Sequence, residues 1–376
     1  MQTVVVIGLS CAGLPLPHAT TIVVAVELVG TGLDGAAWHL IASVRLILRG
    51  AAKASPGGSP SALLLRSKFV LTWLRNLHLL RSLRSTTGNG GLNRAMQERP
   101  ELLGVAVWPY IHAGWGFEQK VHAVEDHYRQ VARIAPGLDL SVSESLLVAS
   151  FEDIRPGLRL VLDRAHWFMR EGELVLNIFT LEQRLFSVAF SLGLDGERSV
   201  VRIGGLQGVR DENILDVYRE LTKSLHGLRP RDFLLDALKS LCSTLGIKTI
   251  LAIADANRQH RHAYFGAGKS QHPAGDYDKV WSEHGGVLRA SGFFEFHSQI
   301  ECRSIEDIPS KKRSMYRKRY EFLELLGARI AANCADGSIS PVSNLVYRSP
   351  PPTDASSAGS PVATEPGPPG PSPDLE

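Results

Sequence analysis

The stretch TKSLHGLRPRD, residues 222–232, gathers the residue types of phosphate and proton chemistry. Gly227 and Pro230 read as the end of one helix and the first turn of the next, and a helix start offers free backbone N–H groups and a positive dipole end. Arg229 and Arg231 beside that start favour an anion such as a phosphate. His226, carrying a ring suited to proton transfer at neutral pH, is the first candidate for acid–base catalysis. The competing reading is a tight helix–helix turn, with His226 favourably placed at a helix C-terminus and Asp232 as the counter-charge of the arginines.

Four further segments carry chemistry. ILAIADANRQH, residues 250–260, is a buried strand running into a loop, where Asn257 and His260 are candidate ligands for a substrate or anion. DYDKVW brings Asp278 as a second acid–base candidate and Tyr277 as a binding residue, although Tyr277 and Trp281, four apart, also suit a packed helix face. GGLQG at 204–208 places Gln207 and Gly208 at a sheet edge where a cofactor could approach the backbone. PSKKRSMYRKR, residues 309–319, holds six basic residues in eleven. With Ser310 as cap, Lys311, Lys312 and Arg313 crowd a first turn whose dipole prefers acids, and Arg317 and Arg319 extend the charge, so an anion is expected nearby. Glu306 and Asp307 are the internal alternative.

No metal site is expected. Cys11, Cys242, Cys302 and Cys334 lie far apart without a C-x-x-C pair, His122 and His127 are five apart and do not share a helix face, and His260 and His262 are a weak pair. The cysteine usage suits a reducing compartment, and the chain is expected to be cytoplasmic, at most peripheral at the inner membrane.

These residues need a scaffold. With 376 residues, 44% of them apolar and 21% charged, the chain can bury a large core. A net charge of +3 makes the basic run a local feature and argues against a nucleic-acid coat. Residues 1–61 are poorly specified: apolar runs are interrupted by Pro15, Pro17 and Glu27, and no basic residue precedes Arg45, so a secretory signal is not expected. The Pro-, Ser- and Gly-rich residues 337–376 read as a disordered tail.

Between these ends the pattern predicts one α+β domain over 62–336. A helical portion (62–150) begins with a basic amphipathic helix at 63–84, with Phe69, Trp73, Leu77 and Leu80 on one side, and continues with a helix at 117–134. The α/β core (151–330) starts as an antiparallel meander in LRLVLDR, ELVLNIFT, RLFSVAFSLGL and SVVRIGGL. Two helices follow, the first capped by Asp211 and ended near Gly227, the second running from Pro230 to Gly246. KTILAIA is then a buried strand reached by a parallel crossover, with a short helix capped by Asp276 and one or two last strands behind it.

The ordered series IGGLQG, TKSLHGLRP, ILAIADANRQH, YDKVWSEHGG, GFFEF and PSKKRSMYRKRY resembles the VirK/YbjX family over roughly residues 62 to 330. That resemblance implies links to Gram-negative virulence, to resistance against cationic antimicrobial peptides and to the outer membrane, with no agreed reaction. The layout of a meander, a Gly-containing turn into a helix and a buried strand also looks like the GNAT-type acyltransferase architecture, a mixed sheet in which such a turn holds the pyrophosphate of coenzyme A. The usual Gln/Arg-x-x-Gly-x-Gly/Ala turn is absent here, and an extra helix precedes the HGLRP turn.

Three functions follow from these readings. One is an acyl or related group transferase, using coenzyme A or another acyl donor on an envelope or phosphate-bearing substrate. Another is a non-catalytic regulator or assembly factor that binds anionic lipid head groups or a protein through its basic helices. Nucleic-acid binding is the third, against which the modest overall charge stands.

Overall fold

Apolar runs that alternate or stay apolar throughout become the centre of the molecule. The computed structural model describes residues 8–10, 23–25, 35–85, 90–181, 183–209, 214–266 and 276–335. Among them β1 (Gly8–Ser10) and β2 (Val23–Ala25) form a separate antiparallel pair. The main sheet comprises β3 (Leu146–Ser150), β4 (Arg159–Asp163), β5 (Leu174–Thr180), β6 (Gln183–Asp195), β7 (Arg198–Gly208), β8 (Thr249–Ile253), β9 (Val287–Leu288) and β10 (Phe293–His297). Its order is β3-β4-β5-β6-β7-β8-β10-β9, and every neighbouring pair is antiparallel except β7 and β8.

A parallel pair needs a crossover, and α6 (Ile214–Ser224) and α7 (Pro230–Thr244) supply it. Pro230 opens α7 at the position where its missing N–H costs nothing, and Gly246, at φ 72°, follows its end. The short helix α8 (Tyr277–Glu283) is capped by Asp276, whose carboxylate accepts from the Lys279 N–H at 2.9 Å. Every residue of β5 and β8 is buried, as a sheet covered on both faces requires. Cover comes from α5 (Phe117–Ile134) on β6, α7 on β5 and β6, and the terminal α9 (Ser310–Ala335) on α7 and β3.

The remaining helices are α1 (Gly35–Ala54), α2 (Pro60–Arg75), α3 (Leu77–Ser85) and α4 (Gly90–Glu98). The structure revises the expected organisation here. The single helix expected at 63–84 breaks at Asn76 (φ −122°, ψ 36°) into α2 and α3, while Phe69, Trp73 and Leu80 remain buried. Residues 35–54, assigned to a poorly specified extension, form α1, which buries Leu46 and Ile47 in the common core. Strand β3 lies inside the portion read as helical. The proposed Asp211 cap and the 337–376 tail lie outside the described residues.

A buried polar network joins the helices to the sheet. Arg164 and Glu173 flank the β4–β5 connection, each side chain 2% exposed, and pair at 3.0 Å. Tyr128 of α5 donates to Glu173 Oε2 at 2.8 Å and accepts from Arg164. Tyr110 donates to Glu173 Oε1 at 3.2 Å and shares a hydrogen bond with Ser191, which also accepts from the Glu173 N–H. Burial alone would raise the Glu173 pKa, but Arg164, His127 and the Tyr128 hydroxyl hold it below the usual carboxylate range.

Removing one partner of this pair is expected to cost more than removing both. Glu173→Gln should lose about 3–5 kcal/mol in urea denaturation, and Arg164→Met combined with Glu173→Leu should recover much of it. An unchanged urea midpoint in Glu173→Gln would count against the network's role.

His127 adds a pH dependence. Burial lowers its pKa to about 4, and the neutral ring accepts the Leu192 N–H through Nδ1 at 3.1 Å. With an unfolded value near 6.5, its contribution is fully present above pH 6.5 and is lost as pH falls towards 4, roughly 3 kcal/mol in all. Urea titrations across that range should show the loss, and His127→Gln should flatten it.

Candidate functional site

The sheet opens where its parallel pair ends. β7 and β8 pair only over Val200–Ile203 and Thr249–Ala252, while β7 continues on β6 to Gly208. The β6–β7 register shifts between Ala189 and Phe190, leaving Gly204 as the extra residue of a bulge, and beyond it the two carboxyl ends part. Helix α8 covers the opening. The Tyr277 hydroxyl accepts from the Leu206 N–H at 2.6 Å and donates to the Leu206 carbonyl at 2.7 Å, and the Trp281 indole donates to the Ile253 carbonyl at 2.9 Å.

Glu171 lies across the bulge so closely that side chains there would not fit. A Cβ on Gly204 would sit 2.1 Å from the Glu171 carbonyl oxygen, and one on Gly205 1.8 Å from its Oε2. Gln259 donates to Glu171 Oε1 at 3.4 Å.

The loop after β8 completes the cluster. Asp278 accepts from the Asp255 N–H at 2.7 Å, and the Asp255 carboxylate pairs with Arg258 at 3.4 Å and with Arg261. The Arg258 guanidinium lies 3.7 Å from the centre of the Tyr277 ring. Asn257 accepts from the Ala113 N–H at 2.8 Å, and His112 forms a backbone bridge with Arg258. Gly292, at φ 80°, lets the chain pass against Asn257 and His112.

His260 is the partly buried histidine of this loop. Burial first, then Arg258 and Arg261, lower its pKa to about 4, so the ring is neutral at physiological pH. Its Nε2 and the Gln259 Oε1 are buried without a hydrogen-bond partner among the described residues. Buried polar atoms are ordinarily satisfied, and two such atoms at the carboxyl ends of parallel strands are groups that a ligand can complete. At about 4 the ring is a weak base, better suited to hydrogen bonding a ligand than to accepting its proton.

The fold therefore gathers Asn257, His260, Tyr277 and Asp278, with Gln207 and Gly208 prolonging β7 beside them. Val209 donates to the Leu185 carbonyl, so the alternation of antiparallel pairing turns the backbone groups of Gly208, like those of Leu206, away from β6 towards the opening.

A different place holds His226, Gly227, Arg229 and Arg231. His226 (φ 52°) and Gly227 (φ 79°) form the α6–α7 turn, and the His226 carbonyl accepts two hydrogen bonds from Arg319, both 3.2 Å. Arg229 pairs with Asp232 at 3.1 Å, and Arg231 pairs with Asp232 at 2.8 Å and with Glu283 at 2.6 Å. No described hydrogen bond or ion pair joins His226 to Asp278. Residues 210–213, in the connection that directly follows β7, lie outside the described residues.

On α9, Lys311, Lys312 and Arg317 are exposed, whereas Arg313 donates to the Ile308 carbonyl at 2.9 Å and the Glu306 carbonyl at 3.2 Å. Sequence reasoning passed over Glu171, His112, Arg258 and Gln259. The paired glycines 204–205 were the visible signal of Glu171, which approaches both. No group of three or more His, Cys, Asp or Glu among the described residues could hold a metal ion.

A family model described as a protein of unknown function, DUF535, matches residues 60–332. The chain belongs to the DUF535 family. An uncharacterized protein of Haemophilus influenzae is 29% identical over 206 residues, 55% of this chain and 67% of its own length. Another relative in this comparison, the uncharacterized protein YbjX of Escherichia coli K12, is 27% identical over 247 residues, 64% of this chain and 74% of YbjX. The YbjX match agrees with the VirK/YbjX resemblance of the motifs. No solved structure matches. No described helix is long and apolar enough to cross a membrane.

In this DUF535 chain Gly204→Ala is expected to destabilise by about 1–3 kcal/mol, because the Glu171 backbone must move. Gly196→Ala, which meets nothing within 4 Å but has φ 63°, isolates the conformational part of a glycine effect. Urea denaturation of both variants measures the difference, and an unperturbed Gly204→Ala would remove Glu171 from the site.

Proposed function

We propose that this DUF535 protein is a GNAT-like acyl or related group transferase whose site lies at the parted ends of β7 and β8. The observation that carries the reading is the parallel pairing that stops at Ile203 and Ala252 while β7 runs on to Gly208. The strand plan supports it: an antiparallel meander is followed by a helical crossover to a parallel β8 and by an antiparallel β10–β9 pair. This is likeness of architecture, so the residues must supply the chemistry.

In that chemistry an acyl thioester such as an acyl-coenzyme A loses its carbon–sulfur bond. A new bond forms from the acyl carbon to an amine or hydroxyl of the acceptor, whose proton leaves with the thiolate sulfur. The backbone groups of Gly208 offer the donor an extended partner, and neutral His260 offers a hydrogen bond. An envelope component is the acceptor class that the VirK/YbjX resemblance favours. Arg229 and Arg231 are left out of this site because Asp232 and Glu283 already neutralise them.

The regulator reading has its own support. Lys311, Lys312, Arg317 and Lys318 are exposed and make no ion pair among the described residues, and α2 carries exposed Leu64, Lys68, Leu71 and Arg75 along one face. Such surfaces suit anionic lipid head groups.

Thermal-shift and calorimetric titration with acetyl-coenzyme A test the transferase. Saturable stabilisation is expected, weakened at least ten-fold by His260→Ala and unchanged by Arg229→Ala. Loss in Arg229→Ala instead would return the donor to the α6–α7 turn. Binding only to anionic vesicles, with steep salt dependence, would replace the enzyme by the regulator.

A further inference from the structure

We infer that the buried amino group of Lys120 is the centre of an anion site that takes a phosphate group of the ligand bound beside it. The inference deepens the transferase reading by naming its substrate class, a phosphate- or diphosphate-bearing molecule.

Lys120 lies on α5 and is 8% exposed. Its Nζ donates to the Trp108 carbonyl at 2.8 Å, and no carboxylate pairs with it among the described residues. A buried ammonium without an acid is costly, and Trp108, whose carbonyl holds it, also carries a guanidinium on its ring. Arg170, from the β4–β5 connection, lies over the Trp108 ring at 5.0 Å, over Tyr264 at 5.2 Å and over Phe265 at 5.3 Å. His262 accepts the Tyr264 N–H through Nδ1 at 3.0 Å, which leaves Nε2 to carry a proton outward. Trp108 and Tyr264 thus tie together Lys120, Arg170 and His262, which come from three separate elements.

Lys68, on the exposed face of α2, is the fourth member. Burial first, then Lys68, lowers the Lys120 pKa to about 8, and burial with Lys120 and Lys68 lowers that of His262. The charged groups acting on the pair are therefore all basic. His262 follows His260 by two residues, so the anion would lie alongside the β7–β8 opening. A buried ammonium with Lys68 and the N–H of the neutral His262 ring beside it suits a multiply charged phosphate better than a single carboxylate.

An anion at this place would restore the charge of Lys120. Around pH 8.5, above its depressed pKa, binding should therefore take up a proton, and affinity should fall as pH rises through 8.

Calorimetry of the full chain with inorganic pyrophosphate, in two buffers of different ionisation enthalpy at pH 8.5, tests this. Saturable binding with proton uptake is expected, weakened at least ten-fold in Lys120→Met. That variant should also raise the melting temperature of the unliganded chain, since it removes an unpaired buried charge. His262→Ala, at a half-exposed position, should weaken binding several-fold and serves if Lys120→Met fails to fold. Equal binding by wild type and both variants, or none by the wild type, would overturn the site.

Titrations with coenzyme A and with phosphatidylglycerol vesicles identify the source of the phosphate. A Lys120-dependent response to either supports the site. Pyrophosphate binding without any response to acyl-coenzyme A leaves the site standing and removes the acyl donor. Acyl-coenzyme A binding that depends on His260 but not on Lys120 does the opposite.

Discussion

The buried pair of Arg164 and Glu173 is the constraint on which the rest of the arrangement depends. Two charges taken out of water are tolerated only when most of the lone pairs and N–H groups around them are used, and here Tyr110 and Tyr128 donate to Glu173 while Tyr128 and the Leu140 carbonyl accept from Arg164, with Ser191 holding Tyr110 and the Glu173 N–H. The partners come from different layers: Tyr128 from α5, Tyr110 from the segment before it, and Ser191 from β6. Satisfying the pair therefore fixes where the helices sit on the sheet.

The same constraint reaches the candidate site. Tyr110 is followed by Ile111, held at φ 53° with its N–H on the Arg170 carbonyl, and then by His112, which bridges to Arg258 and packs against Gly292. A residue without a flexible backbone preference at positive φ persists only where its surroundings over-determine it. In this chain the surroundings are the network on one side and the β8 loop on the other. Glu173 is linked to the loop that holds His260 by a hydrogen bond to Tyr110, two residues of chain and the His112–Arg258 bridge.

Periodicity made most of the scaffold legible in the sequence. The meander, α5, α7, buried β8 and the capped α8 all announce themselves through local patterns, because each buries a face or ends on a glycine whose geometry is local. Local patterns failed where long-range packing decided the outcome. Nothing in LRNLHLL marks Asn76 as the break between α2 and α3, and β3 is a strand because β4 offers it an edge. The site was half legible for the same reason. Asn257, His260, Tyr277 and Asp278 stand in two motifs that the β8–α8 connection brings together, but Glu171 and Lys120 reach the region only through the fold.

Charge bookkeeping in space, rather than along the chain, separates the basic residues into kinds. Arg229 and Arg231 looked like an anion site because they precede a helix, yet Asp232 three positions on and Glu283 fifty-two positions on neutralise them. Burial alone would raise the Asp232 pKa, but the His284 ring, Arg231 and Arg229 hold it below the usual range, as expected of a committed counter-charge. The dense run at 309–319 divides in the same way. Arg313 and Arg319 are spent on the carbonyls of Glu306, Ile308 and His226, which anchors the start of α9 to its own lead-in and to the α6–α7 turn. Lys311, Lys312, Arg317 and Lys318 remain in solvent, where a charge costs the fold little and implies little. Lys120 belongs to neither kind, being buried with a carbonyl as its only described partner. An exposed lysine can stay charged at no expense and a paired one is already satisfied, whereas a buried lysine held by a carbonyl gives way at its own pKa, as burial and Lys68 lower that of Lys120 to about 8.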